Sequence, residues 1–92
     1  MKKLSFENAK QIQLEHPETF RRPSEKYLDN LKPGDKVKIC YKKERFWVDI
    51  KLIEENNIIG TVDNELVLSE LKYKDLIKFH KDNVYSIWHG IN

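Results

Sequence analysis

The sequence predicts an α+β domain, with one or two short N-terminal helices followed by a small, strongly curved antiparallel sheet. Two observations carry this. Apolar residues recur at every third or fourth position up to about residue 31 and at every second position from Lys36 onward. Gly60 stands inside one of the later apolar runs, where a glycine marks a bulge or tight bend that lets a small sheet curl.

The elements follow in order. Ser5, with Glu7 behind it, is placed to open a first helix that Pro17 stops, and Phe6, Ala9 and Ile12 supply its apolar side. Arg22 precedes Pro23 and is pushed into extended backbone; Ser24 then caps a second helix over 25–30, with Tyr27, Leu28 and Leu31 facing inward. Lys32-Pro33-Gly34-Asp35 is a turn, because proline presets φ and glycine accepts the positive φ of a type II turn. Val37, Ile39 and Tyr41 share one face of the first strand, and Lys36, Lys38, Cys40 and Lys42 the other.

A polar bend at Lys43-Glu44 leads to a strand with Phe46, Val48, Ile50 and Leu52 on one face and Trp47, Asp49, Lys51 and Ile53 opposite. Glu55-Asn56-Asn57 turns into Ile58–Val62, and these short connections imply antiparallel neighbours in meander order. Residues 66–71 read as a loop or irregular strand, Leu76 to Phe79 as a strand, Lys81-Asp82-Asn83 as a turn, and Val84 to Trp88 as the closing strand. About five short strands with a glycine inside one of them favour an SH3-like barrel. The expected organisation is a single domain over 1–92, helical over 1–32 and barrel over 33–92.

Composition agrees with a folded domain, since 39% hydrophobic and 11% aromatic residues offset 35% charged ones. No apolar run approaches the roughly 20 residues that cross a bilayer, and no apolar stretch follows Lys2 and Lys3. One cysteine, Cys40, has no internal partner, so a cytoplasmic location is expected and no membrane association. Residues 1–45 hold 12 Lys/Arg against 7 Asp/Glu, and residues 46–92 hold 5 against 8. That bipolar balance is weaker than the basic signature of a dedicated nucleic-acid binder.

His16, His80, His89 and Cys40 are not at zinc spacing, so neither a metal nor another cofactor is expected. No nucleophile–base pair, carboxylate pair on a pocket wall or glycine-rich phosphate loop is legible; Gly34, Gly60 and Gly90 are scattered, and Glu54, Glu55, Asp63 and Glu65 lie at turns. The expectation is a non-enzymatic protein, against the alternative of a hydrolase or transferase with an enclosed pocket.

The candidate binding surface is Lys36, Lys38, Lys42, Lys43 and Arg45 on the first hairpin, with Trp47 continuing that face. Interleaved basic and aromatic side chains on a curled sheet can hold phosphates and stack bases, yet lysines at every second position also describe a solvated strand face. Trp47 is expected to pack under the N-terminal helix with Ile53, the alternative being an exposed anchor; Tyr85, Ile87 and Trp88 are expected to pack as well.

Arg45-Phe46-Trp47-Val48-Asp49-Ile50, then Ile59 to Glu65, then Lys74 to Phe79, form an ordered set of motifs over about residues 33–88. The set resembles the YegJ-like small proteins, a bacterial family of unknown function, and Lys74 stands where that pattern often has glycine. The resemblance implies no catalytic residue. It admits an immunity or inhibitor role, because related families occur beside toxin and immunity genes. The opening Leu31–Val37 also looks like the start of many SH3-like barrels. The expected function is therefore a non-enzymatic protein-binding module of a bacterium or phage. Nucleic-acid binding through the basic hairpin and an immunity or inhibitor role are the alternatives.

Overall fold

The computed structural model describes residues 4–88; Lys2, Lys3, His89 and Gly90, named above, lie outside them. Two helices, α1 (Ala9–Glu15) and α2 (Glu25–Asp29), precede strands β1 (Lys36–Tyr41), β2 (Glu44–Glu54), β3 (Asn57–Val62), β4 (Leu76–His80) and β5 (Ser86–Ile87). A 3-10 turn, Lys81–Asn83, separates the last two. The strands form one antiparallel sheet in the order β4-β3-β2-β1-β5, so the first four are a meander and β5 returns to the free side of β1.

The sheet curls around Phe6. This one ring lies 5.5 Å from Tyr41 on β1 and 6.1 Å from Phe79 on β4, strands that a flat sheet would hold about 14 Å apart. The edge strands β4 and β5 do not pair with each other, so the sheet is open and the closed barrel expected above does not form among the described residues. Inside the curl, Val37, Ile39, Phe46, Val48, Ile50, Ile58, Val62, Ile77 and Phe79 bury their side chains with Leu28 of α2 and Leu71 of the long β3–β4 loop.

A bulge sets the curvature and corrects one expected face. Ile50 pairs with Gly60 but Leu52 pairs with Ile59, so Lys51 is an extra residue on β2 and the alternation slips by one beyond it. Ile53 therefore packs against the core, and Leu52 is left 46% exposed, the reverse of the regular alternation. Gly60 itself carries no bulge; it lies opposite one. A Cβ there would sit 2.4 Å from the Asp49 carbonyl oxygen and 2.6 Å from Val48 Cγ1, so only glycine permits this approach.

Turn chemistry differs from expectation in two places. The β1–β2 bend falls at Lys42 and Lys43, with φ of 51° and 68°, as a type I′ hairpin demands. It precedes Glu44, which begins β2 and accepts from the amides of Val67 and Leu68 at 2.8 Å each. Lys74 has φ 71°, so a lysine occupies a left-handed position that favours glycine. Gly34, with φ 97°, behaves as foreseen, and its neighbour Asp35 donates its amide to the Lys32 carbonyl to close the turn.

The first helix starts later than Ser5. Asn8 is its cap, accepting from the Gln11 amide at 2.9 Å, and Phe6 lies ahead of the helix in the main core. Asn8 wins because the backbone just ahead of it is tied elsewhere: the Glu7 amide donates to the Cys40 carbonyl, and the Asn83 side-chain amide donates to the carbonyls of Phe6 and Glu7. In α2, Leu28 is buried but Tyr27 is 61% exposed, since a five-residue helix turns only a narrow stripe inward.

Candidate binding surface

Pairing of β1 with β2 matches Lys36 to Asp49, Lys38 to Trp47 and Cys40 to Arg45, which puts all six on the face turned away from the main core. That face divides into an inner end, a middle and a tip.

At the inner end Lys36 reaches two carboxylates, Asp49 at 2.9 Å and Asp63. Hydrogen bonds to Asp63 and then Asp49 hold its ammonium above the ordinary lysine range. Lys38, one step along, places its ammonium 4.9 Å from the centroid of the Trp47 ring, a cation–π contact. Trp47 meets Trp88 edge to face, at 5.4 Å and 86°.

Trp88 reaches this point through β5. Ser86 pairs with Lys38, and two residues later the Trp88 amide donates to the Lys36 carbonyl at 2.9 Å, so both side chains share the outer face. Asn64 fixes Trp47 from the other side by accepting its amide, and the Asp63 amide donates to the Trp47 carbonyl at 2.8 Å. Together Lys36, Trp47, Asp63, Asn64 and Trp88 line a concavity of about 260 Å³. Trp47 is half-buried and Trp88 is 50% exposed.

The middle of the face is a separate polar cluster. Helix α1 covers Cys40 and Tyr85 with Ala9 and Ile12, and Phe20 packs edge to face on Tyr85 at 5.1 Å. The expected burial of Trp47 under this helix is thus corrected: the cover falls on Cys40, and Ile53 packs in the main core. Glu7 accepts from the Cys40 thiol (3.1 Å), the Tyr85 hydroxyl (3.2 Å) and the Lys43 amide (3.3 Å). These donors, Cys40 foremost, hold the Glu7 carboxyl below its usual range, while burial and then Glu7 push the Cys40 thiol up to about 11. Burial and the Glu7 charge likewise raise the Tyr85 phenol. Arg45 lies over the Tyr85 ring at 5.1 Å, on this cluster and away from the tryptophans.

At the tip, Lys42 pairs with Glu70 at 3.3 Å and Lys43 is exposed. Of the six residues read from the sequence, the structure therefore joins Lys36, Lys38 and Trp47 in one place. It sends Arg45 to the Glu7 cluster and leaves Lys42 and Lys43 at the hairpin turn.

Sequence reasoning missed Trp88, which it packed inside, and also Asp63 and Asn64. Trp88 could be found only through the register of β5 on β1, a pairing between strands far apart in sequence. His80 accepts from the Asp82 amide to cap the 3-10 turn. Among the described residues no three His, Cys, Asp or Glu side chains gather as a metal site, and no helix is long and apolar enough to cross a membrane. Comparison of the chain with protein-family models, with curated proteins and with solved structures finds no match.

Proposed function

We propose that the chain is a non-enzymatic protein-binding module whose contact surface is the Trp47–Trp88 concavity, with Lys36 and Lys38 at its rim. The observation that carries this reading is the crossed pair of tryptophans on the solvent side of the sheet. Large aromatic rings left partly exposed beside a cavity are the side chains that dominate protein interfaces when a partner buries them. Bonds to Asp63, Asn64 and Lys36 pin the main chain at both tryptophans, and the rings brace each other edge to face, which lowers the ordering cost of binding.

The buried, protonated Cys40 thiol supports the non-enzymatic side of the reading, because the thiolate is the nucleophile. Nucleic acid draws less support than protein. The ammonium groups of Lys36 and Lys42 are already matched by Asp49, Asp63 and Glu70, leaving fewer cations for phosphates. An SH3-like plan, a place among the YegJ-like proteins, and an immunity or inhibitor role with a toxin as partner are narrower forms of the same proposal. The curled meander with β5 returning beside β1 supports the SH3-like plan, and the left-handed backbone at Lys74, where that family has glycine, supports the family reading.

The test is capture of a protein from a bacterial lysate, followed by titration with the purified partner. Trp47→Ala and Trp88→Ala should each weaken binding at least about tenfold, in line with tryptophan hot spots. Unchanged affinity in both variants would overturn the proposal. So would the absence of any protein partner together with salt-dependent binding of short single strands.

A further inference from the structure

A second candidate site lies away from the tryptophans, where the segment 20–24 runs between the two helices. Pro23 keeps Arg22 extended, and the Arg22 amide donates to Gln13 Oε1 at 2.7 Å. This turns the Arg22 side chain inward until only 6% of it is exposed. Its guanidinium offers donors on more than one edge. Nη2 meets the Glu25 carboxylate, but Nη1 is out of solvent contact and has no hydrogen-bond partner. Among the described residues it is the single buried side-chain nitrogen or oxygen left so, the kind of exception that calls for a use.

Two concavities meet at Arg22, of about 440 and 400 Å³, and Arg21, Arg22, Pro23 and Ser24 wall both. Arg21 is exposed and has no salt-bridge partner among the described residues. Ser24 stands at the cap position of α2, yet its hydroxyl makes no capping bond. The charges of Lys10 and Lys81 also favour the Glu25 anion, Lys81 while paired with Asp29 at 3.5 Å.

We infer that Arg21, Arg22 and Ser24 form an oxyanion site for the phosphate group of a small molecule, with Glu25 as the internal carboxylate that an incoming anion displaces. Planar guanidinium forks match phosphate oxygens edge to edge, and a doubly charged phosphate balances two arginines where a carboxylate balances one. Solvent does not reach Nη1 past the present wall. Glu25 lines the larger concavity with 63% of its side chain exposed and holds only Nη2, so an incoming anion competes with it there for the guanidinium.

Titration of the full chain with inorganic phosphate and with glycerol phosphate, followed by amide NMR at constant ionic strength, tests the site. Saturable shifts confined to the amides of residues 21, 22, 24, 25 and 86 are expected, at least tenfold weaker with acetate. Arg21→Gln should weaken binding at least tenfold, and Glu25→Gln should tighten it several-fold by removing the competitor. Arg22→Lys keeps the charge and loses the fork, so a tenfold loss is expected; if that variant unfolds, the Arg21 and Glu25 variants decide. Shifts that do not saturate, or that are the same in Arg21→Gln, would mean surface charge only and overturn the site. Weaker binding in Glu25→Gln would overturn the displacement. A response to glycerol phosphate with none to inorganic phosphate keeps the site and assigns its ligand to phosphate esters.

Discussion

Glu7 ties three parts of the chain together with one carboxylate, accepting from β1, from the β1–β2 turn and from the residue before β5. Its folded pKa is depressed, so the stability it contributes is present in full above the ordinary value of 4.5 and is lost as pH falls through the lowered one. Glu7→Gln should cost about 1 kcal/mol at neutral pH, a figure discounted for the solvent screening of a half-buried group. That difference should shrink as pH drops below 4.5, which urea unfolding at several pH values would show. A cost independent of pH would mean that shape rather than charge matters. Gly60 is constrained by space rather than charge. Adding a methyl at a point 2.4 Å from a backbone oxygen leaves no flexible group to yield. Gly60→Ala is expected to lose about 3 kcal/mol, the upper end of overpacking costs, read as a lowered urea midpoint; a loss under about 1 kcal/mol would show that β2 can retreat.

Among the elements, β2 shows where pattern reading succeeds and where it stops. Phe46, Val48 and Ile50 are buried as their period of two requires, because alternation is a property of the strand alone. The slip at Lys51 is not legible there, since nothing in Ile50-Lys51-Leu52 marks a bulge; the signal was Gly60 on the partner strand, and reading it needs the register. The physical consequence is measurable. Ile53→Ala should destabilise by about 1–2 kcal/mol and Leu52→Ala by under about 0.5 kcal/mol, compared by chemical denaturation. An unbulged strand would give the opposite ranking. The helix boundaries moved for a related reason, as Ser5 has the chemistry of a cap but lies in a segment already committed to the Cys40 carbonyl and to Asn83. Local propensity lost to tertiary hydrogen bonds.

For the molecule as a whole, the switch from helical to alternating spacing near Lys36 was enough to foresee two short helices and a five-strand antiparallel sheet. Closure was not, because whether β4 meets β5 depends on the long β3–β4 loop and on how far one bulge bends the sheet. The same limit governed the candidate surface. Lys36, Lys38 and Trp47 could be placed on one face from sequence, whereas Trp88 joins them only because β5 crosses back to β1. The helix chose the other half of that face, covering Cys40 and Tyr85 and leaving the tryptophans uncovered. These two rings stand on the water side of the curled sheet. Acrylamide quenching of tryptophan fluorescence in Trp47→Phe and Trp88→Phe tests it directly, each variant reporting on the ring that remains. Quenching of both rings in the folded protein, stronger for Trp88 than for Trp47, is the predicted result. Two rings that acrylamide reaches only after urea has unfolded the chain would contradict it.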